Sequence, residues 1–421
     1  MDYTQISIIK RDGKTEPFSL DKIVRAITKA FRAGGITDEG QAIEQIASDV
    51  AAAITKAEIS VEEIQDMVEE RLMKRNPSIA KRYIIYREWR KVFNEYDPPA
   101  FAVAEAWVRP SRQHLYASPD DLGQIFNFEF AKKDWIRDDM HLAIEEGLES
   151  AERSGSTATW VMSNHDVVRH ATRYALPQVP TGEYHRLPLD WLLRDGTTYR
   201  EDRALGTKRA RAAIMMEMAL PGSAYVYQGE ELGLFEVADI PWDELEDPSA
   251  WRTSRSASTK GRDGCRVPLP WVAADAPQLD DPNDEFGHGG SFGFSPADAK
   301  AEPHLPQPKW YKDFAVDVES ADPDSMLNLY RRVLALRHEL QTTDLSLEWL
   351  PEDQPGKAHD GANGFPGGTI AYRRANGWAS ITNFGEEPIT LPQGEVLLTS
   401  GPLTDDGKLP QDTSAWLKLA D

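Results

Sequence analysis

The sequence lacks the features of a secreted or membrane protein. Its single cysteine, Cys265, excludes a disulfide within the chain, which fits a reducing compartment. No run of about 18 apolar residues occurs, so no transmembrane helix is predicted. Residues 1–14 mix charged and apolar side chains and lack the apolar core of a secretory signal. We therefore expect a cytoplasmic protein without a membrane partner, in which Cys265 is a small packed residue.

Positive charge is also scarce. The chain has 47 Lys and Arg against 69 Asp and Glu, which gives a formal net charge of −22. Residues 1–97 are nearly balanced, with 16 basic and 17 acidic side chains, so the remainder has 31 and 52. An acidic surface repels nucleic-acid phosphates, and we expect no nucleic-acid partner. Neutral substrates such as sugars are unaffected by this charge, which we interpret as a source of solubility.

Metal-binding patterns are absent too. His288 and His304 have no ligand-like spacing and no HExxH segment occurs, so we predict no metal site. The glycine-rich segment 287–294 has no clear strand before it and no clear helix after it. We interpret it as a loop rather than a phosphate-binding turn.

The first part of the chain has the pattern of a hairpin followed by helices. Residues 6–18 alternate around a Lys-Arg-Asp-Gly turn. Ser60 and Glu63 form a capping-box pattern, and Asn76-Pro77 is a typical helix start. The apolar spacing predicts helices over residues 20–32, 39–55, 60–75 and 76–96.

From Phe101 the pattern changes to alternating strands and helices, which is typical of an α/β fold with a parallel sheet. Residues 235–322 show no period and are predicted to be long ordered loops. Short strands after residue 345 predict a small antiparallel β domain. The predicted strands are 101–108, 124–130, 157–166, 223–230, 369–373, 378–383 and 395–399, and the predicted helices are 139–153, 206–220 and 323–340.

Two carboxylates stand where such folds place their active sites. Glu105 and Asp166 fall at or near the C-terminal ends of predicted strands, with Trp107 and Trp160 as aromatic neighbours. Paired carboxylates with aromatic side chains favour glycoside chemistry. From the pattern alone, both carboxylates could equally be structural partners of Arg or Lys, and His165 could be a core histidine.

Several segments, in order, resemble an α-glucosidase of glycoside hydrolase family 13. They are AVAEAWV around Glu105, SNHD ending at Asp166, YQGEELG at 227–233 and GRDGCRVPLPW at 261–271. The resemblance covers about residue 86 to 421. It implies strands five to eight of a (β/α)₈ barrel over 86–342 and a β domain over 343–421. It also implies hydrolysis of small α-glucosides without a cofactor, the linkage preference remaining open.

The resemblance assigns roles to named residues. Glu105 corresponds to the general acid/base, Asp166 to the transition-state stabiliser, and His165 and Arg169 to substrate-binding positions. Trp107 is predicted to bind the substrate as an aromatic neighbour of Glu105 whose face holds the sugar ring. The Gly-Phe-Arg-x-Asp segment that would hold the nucleophile is absent from the sequence. We therefore expect impaired catalysis, since a retaining mechanism needs that carboxylate. A half barrel would also have open strand edges, which predicts self-association.

The first 90 residues resemble an ATP-cone domain, as found in ribonucleotide reductases and their repressor. The similarity is carried by IIKRDGKTEPFSLDKIVRAI, ISVEEIQDMVEERLM and IAKRYIIYREWR. It implies an ATP or dATP ligand near Lys10, Arg11, Gly13 and Lys22. Residues 84–90 resemble both the closing helix of an ATP cone and the helix before strand five of the α-glucosidase family. We therefore expect the junction between the two families within this segment. Three hypotheses remain open: an impaired α-glucosidase-like hydrolase, a nucleotide-binding regulatory module with an inert second half, and a chimera without function.

Overall fold

The structure is a computed structural model in two compact units. It describes the chain except residues 1–5, 11–12, 34–35, 37–38, 107, 109–112, 114–116, 118–121, 180–185, 253–258, 352–366 and 421. The N-terminal unit comprises Met1–Ala104 with His114–Gln124, and the C-terminal unit comprises Glu105–Gln113 with Ile125–Asp421. Each unit has its own hydrophobic core.

A three-stranded sheet opens the N-terminal unit. Strands β1 (Ser7–Ile9) and β2 (Thr15–Pro17) form the predicted antiparallel hairpin. Gly13, at a φ of 79°, lies in the turn and donates its N–H to the Lys10 carbonyl, a conformation that suits glycine. Strand β3 (Glu58–Ser60) pairs in parallel with β1. The sequence pattern missed β3, because three residues before a helix show no clear alternation.

The predicted helices of the N-terminal unit are confirmed. Ser60 accepts from the backbone of Glu63, and the Glu63 carboxylate accepts from the backbone of Ser60, which is the predicted capping box. The Asn76 side chain accepts from the backbone N–H of Ile79 and caps the last helix. The helices are α1 (Leu20–Ala33), α2 (Gly40–Ala53), α3 (Val61–Arg75) and α4 (Pro77–Phe93).

The strands of the predicted parallel sheet all exist but span three residues each. They are β4 (Ala102–Ala104), β5 (Gly123–Ile125), β6 (Thr159–Val161) and β7 (Ser223–Tyr225). The described backbone pairs them as β4 with β5, and as β6 in parallel with β7. The Thr159 hydroxyl donates to the Ile125 carbonyl and accepts from the Asn127 N–H at 3.2 Å, which ties the end of β5 to β6.

The predicted strand 124–130 is wrong beyond Ile125, because helix α5 (Phe128–Ala131) begins there with Asn127 as its N-cap. The predicted helices at 139–153, 206–220 and 323–340 are confirmed with shifted ends. Of the helices that the structure describes, none combines the length and apolar character that a membrane crossing requires. The remaining helices are α6 (Arg137–Ser154), α7 (His170–Ala175), α8 (Arg186–Leu193), α9 (Arg203–Ala219), α10 (Pro248–Arg252), α11 (Val316–Ala321) and α12 (Met326–Leu340).

Helix α9 is the centre of the C-terminal unit. Its residues from Ala212 to Ala219 are all buried, so no face of that stretch is exposed. The sheet supplies side-chain donors to its backbone: Ser414 bonds the Ala212 carbonyl at 2.8 Å and Trp416 bonds the Met215 carbonyl at 2.9 Å. The α/β part and the last sheet therefore share one core.

That sheet is antiparallel, with the order β11-β12-β10-β9-β8. The pattern predicted β9 (Thr369–Arg374), β10 (Trp378–Asn383) and β11 (Gly394–Thr399), and it missed β8 (Leu347–Trp349) and β12 (Thr413–Leu419). Strand β12 has buried residues on both faces, so it lacks the apolar–polar alternation on which the prediction depended.

Candidate functional site

Three predicted site residues come together in the C-terminal unit. His165 Nε2 lies 4.0 Å from Glu105 Oε1 and 3.5 Å from Asp166 Oδ1. The donor atoms of all three lie within 4.8 Å of one another. The side chains of Glu105 and His165 are about half exposed, at 45% and 51%, whereas Asp166 is 16% exposed. We call these three residues the carboxylate cluster.

The ends of two strands bring the cluster together. Glu105 directly follows β4, and Asp166 lies five residues beyond β6 in a turn that the Asn164 side chain stabilises by accepting from the Asp166 N–H at 2.8 Å. Ser163 anchors the start of this turn, since its buried hydroxyl accepts from the His170 N–H at 3.0 Å. These hydrogen bonds to the backbone of the turn therefore fix the position of the Asp166 backbone.

Two arginines from the long loop hold the Asp166 carboxylate from the other side. Arg262 lies 2.6 Å from Asp166 Oδ1, and Arg266 lies 3.2 Å from the same oxygen. Arg266 also donates to the His165 carbonyl at 2.9 Å. Charge-assisted hydrogen bonds of this kind orient a carboxylate strongly, so the Asp166 carboxylate is held in one orientation.

Arg262 is itself anchored by a buried carboxylate, Asp247. Its Nε lies 2.7 Å from Asp247 Oδ2. Burial raises the pKa of Asp247, but hydrogen bonds from Arg262 and Ser249 outweigh that effect and hold this pKa well below its usual range. The hydrogen bond with Asp247 also raises the pKa of Arg262, against its partial burial. Arg262 is thus a fixed bridge between the interior and the carboxylate cluster.

Arg169 has a different environment from the cluster. Its side chain is buried, and it donates to the carbonyls of Gln228 at 3.0 Å and Cys265 at 2.9 Å. Its guanidinium lies 5.3 Å from the centre of the Tyr227 ring. In this structure Arg169 holds two loops together rather than extending into solvent. Trp107 lies outside the described residues.

The cluster suits proton transfer better than cation binding. Two arginine cations already compensate Asp166, so a metal ion would have to displace them. Glu105 is half exposed and within reach of a bound hydroxyl or glycosidic oxygen. Among the residues that the structure describes, no further carboxylate joins this group within 4.8 Å.

Two of the four predicted nucleotide residues of the N-terminal unit contact one acid, Glu16, that sequence reasoning missed. Lys10 and Lys22 lie 2.9 Å and 2.7 Å from Glu16 Oε1. Their hydrogen bonds, first that of Lys22 and then that of Lys10, lower the pKa of Glu16. Gly13 forms the turn beside them, and Arg11 lies outside the described residues.

Sequence reasoning also missed the two arginines at Asp166. Both stand inside the quoted segment GRDGCRVPLPW, so the motif itself was a usable signal. Nothing in the pattern indicated which carboxylate they contact, because Arg262 and Asp166 are 96 residues apart.

Comparison with known proteins finds similarity to two families in separate parts of the chain. Residues 6–92 match the ATP cone domain, and residues 192–344 match the α-amylase catalytic domain. A probable α-glucosidase of Rhizobium meliloti is 30% identical over 265 residues, which cover 60% of this chain and 37% of that protein. A vitamin B12-dependent ribonucleoside-diphosphate reductase of Thermoplasma acidophilum is 42% identical over 98 residues, covering 21% of this chain and 12% of that protein.

Solved structures agree on the fold. The trehalose-6-phosphate hydrolase of Bacillus licheniformis is 20% identical, with a TM-score of 0.54, over 84% of this chain and 59% of that one. A trehalulose synthase from Pseudomonas mesoacidophila gives the same identity and TM-score over 86% and 62%. At this identity the similarity concerns the fold alone. The chain spans less than two thirds of both the matched relatives and these structures.

Proposed function

Since the chain carries an ATP cone domain at its N-terminus and an α-amylase-type catalytic region behind it, we propose that its second part is an α-glucosidase-like glycoside hydrolase fragment. Its substrates are small α-glucosides, and no cofactor takes part in the hydrolysis. Glu105 is the acid/base, Asp166 the stabiliser of the oxocarbenium-like carbon, and His165 and Trp107 bind the sugar. Arg169 is buried and holds the loops at Gln228 and Cys265 together, so its role is to position these loops rather than to contact the sugar. The convergence of Glu105, His165 and Asp166 is the observation that carries this proposal.

The geometry supports the division of roles between the two carboxylates. Glu105 is exposed enough to exchange a proton with solvent or with a leaving oxygen, as a general acid must. Asp166 is less exposed and fixed by two arginines, which suits a carboxylate that stabilises charge without moving. His165 lies between them and can donate a hydrogen bond to a sugar hydroxyl.

Within the described part of the chain the cluster contains no third carboxylate, and this implies slow turnover. A retaining glycosidase needs a nucleophile roughly 5 Å from the acid. The sequence has no segment of the nucleophile type, and Asp166 is already paired with two cations. We propose that the chain retains the acid and the stabiliser and lacks the nucleophile, which lowers turnover by roughly 10⁴-fold or more.

The domain boundaries follow from the same proposal. We assign residues 1–90 to the cone, 86–342 to strands five to eight of a (β/α)₈ barrel, and 343–421 to the β domain. Among the described strands, β7 pairs with β6 alone, so one of its edges is open. Open edges favour self-association, and we propose a cytoplasmic protein that associates with its own copies.

A missing nucleophile is testable by supplying one from solution. We expect the protein to cleave p-nitrophenyl α-glucoside very slowly, and azide to accelerate this cleavage at least tenfold. Azide attacks the anomeric carbon, the bond to the leaving oxygen breaks, and a glucosyl azide forms. The measurement is nitrophenol release together with identification of the azide product by mass spectrometry.

Glu105→Gln tests the role of Glu105 as proton donor independently of the other residues of the site. Nitrophenolate leaves readily without a proton, so this variant should retain most azide-dependent cleavage of the aryl glucoside. Cleavage of maltose, whose leaving sugar needs a proton, should fall by roughly 100-fold or more. Glu149→Gln, at an exposed helix position, is the matched control. Equal losses for both substrates would exclude Glu105 as the acid.

A second function is favoured by the lysine pair of the cone. Lys10 and Lys22 share one carboxylate in the N-terminal unit, so both cations lie beside the Gly13 turn. We propose that this unit binds ATP or dATP, with the triphosphate replacing Glu16 as the partner of the lysines. Triphosphate groups bind such clustered cations through charge-assisted hydrogen bonds.

Calorimetric titration with ATP and dATP tests the second function. We expect Lys10→Gln and Lys22→Gln each to weaken binding roughly tenfold, the loss of about one charge-assisted hydrogen bond. Lys56→Gln is the matched control, because Lys56 pairs with Glu63 in the same unit. The same affinity in all three variants would place the nucleotide elsewhere, and no heat with either nucleotide would remove the second function.

A further inference from the structure

A cleft of about 360 Å³ lies between helix α9 and the C-terminal sheet, away from the residues assigned above. One wall is a single face of α9, since its contributing residues follow helical spacing. The opposite wall is formed by the segment after β11 and by the start of β12. The lining residues are Ala204, Thr207, Lys208, Arg211, Ser400, Gly401, Pro402, Pro410 and Thr413.

The charge of this cleft is opposite to that of its surroundings. Residues 98–421 carry 52 acidic side chains against 31 basic ones. The cleft is lined by two cationic side chains, Lys208 and Arg211, and by no carboxylate. Two cations thus line this cleft in an acidic part of the chain, and the nearest acids, Asp324, Glu319 and Asp322, act on Arg211 from outside the lining.

Arg211 has carbonyl partners but no acidic one. Its Nε donates to the Ser400 carbonyl at 2.7 Å and its Nη1 to the Asp324 carbonyl at 2.9 Å. Burial and the nearby Arg332 lower the pKa of Arg211, while Asp324 and Glu319 act in the opposite direction. Two carbonyl oxygens fix the orientation of the guanidinium, and Asp324, Glu319 and Asp322 compensate part of its charge.

Lys208 adds a second positive charge to the cleft. It is exposed and lies one helical turn from Arg211, and within the part of the chain that the structure describes neither side chain forms an ion pair. Thr207 places a hydroxyl group on the same face. An ammonium, a guanidinium and a hydroxyl on one helix face are the donor set that binds phosphate groups.

We propose that this cleft binds a phosphate monoester of a small metabolite. The phosphate contacts Thr207, Lys208 and Arg211, and the carbon skeleton packs on Pro402 and Pro410. The volume is within the usual range for small-molecule sites. The site is separate from the carboxylate cluster and from the lysine pair of the N-terminal unit.

Calorimetric titration with glucose 6-phosphate tests this site. We expect Lys208→Gln to weaken binding at least tenfold, and Thr207→Glu, which puts a negative charge on the same helix face, to abolish it. Lys312→Gln, at another exposed lysine, should leave the affinity unchanged. Circular dichroism and the melting temperature of each variant show whether the fold is retained.

Three comparisons decide the outcome. Glucose, which lacks the phosphate, should show no binding that Lys208→Gln weakens, whereas inorganic phosphate should bind more weakly than the ester because the prolines then contribute nothing. Lys10→Gln should bind glucose 6-phosphate normally, which separates this cleft from the nucleotide proposal. No binding of the ester at millimolar concentration, or equal binding in Lys208→Gln and Lys312→Gln, would overturn the proposal.

Discussion

Glu217→Met is expected to stabilise the protein, by on the order of 3–5 kcal/mol at pH 8. Glu217 lies in the fully buried stretch of α9. Among the described residues, neither of its carboxylate oxygens has a hydrogen-bond partner. Methionine is flexible and apolar, and its neighbours Met216 and Met218 show that such side chains fit there.

The direction of the pH dependence follows from the pKa of Glu217. Burial raises this pKa to about 8, and Arg337 opposes the shift, while the ordinary value is 4.5. Between pH 4.5 and 8 the unfolded chain has lost this proton and the folded chain retains it. The folded state therefore binds more protons, and the free energy of unfolding falls as the pH rises through this window.

Other buried groups also contribute to the pH dependence of the free energy of unfolding. The effect of Glu217 must therefore be taken as the difference between the variant and the original protein. Burial raises the pKa of Glu236 to about 7, which has the same sign of effect. Burial lowers the pKa of His170 to about 3, so this group destabilises the fold as the pH falls from 6.5 toward 3. Subtracting the variant's profile from that of the original protein removes the contributions of Glu236 and His170. The difference contains Glu217 together with its effect on Glu230, whose pKa it raises.

Thermal and urea unfolding between pH 5 and pH 8 measure this effect. The original protein should lose stability toward pH 8, and Glu217→Met should lose less of it. Glu149→Met is the control, because Glu149 is 61% exposed on α6 and pairs with Arg153. Parallel profiles for the original protein and Glu217→Met would show that Glu217 is ionised in the folded state.

Arg262→Met is expected to lower the free energy of unfolding of the C-terminal unit by roughly 2–4 kcal/mol. It should also reduce maltose cleavage below that of the original protein. Removal of the guanidinium leaves the buried Asp247 carboxylate without its cation, and such uncompensated charges are costly. It also releases Asp166 from its closer arginine, at 2.6 Å. Urea unfolding and the maltose assay measure the two consequences separately.

Arg266→Met is the matched comparison for Arg262→Met. Arg266 contacts Asp166 but has no bond to Asp247, and its side chain is 27% exposed. It should therefore lower maltose cleavage with a smaller loss of stability. A loss of stability in Arg266→Met as large as in Arg262→Met would contradict the role given to Asp247.

The sequence predicted most elements of the fold because their signals are local. The capping box at Ser60 and Glu63, the hairpin turn at Gly13 and the apolar face of α3 each depend on residues within one or two turns. Glu105 and Asp166 could also be placed, since the C-terminal ends of parallel strands meet at one edge. Their approach to His165 within 4.8 Å agrees with that reasoning.

What the sequence could not predict depends on distant contacts. The bond between Arg262 and Asp166 joins a long loop without periodicity to a turn after β6. The buried environment of Glu217 arises because two layers cover α9, whereas the polar side chain alone suggests a helix with one exposed face. Strand β12 was missed for a similar reason, since burial on both faces removes alternation.

The complete burial of residues 212–219 in α9 has a consequence for how the chain is synthesised. The Trp416 indole that bonds the Met215 carbonyl lies 201 residues later in the sequence. A ribosome therefore releases this apolar helix long before the strand that covers it exists. During that interval the exposed helix can bind chaperones or aggregate with neighbouring chains. A circular permutation that places β12 before α9 shortens the interval and should raise the soluble yield.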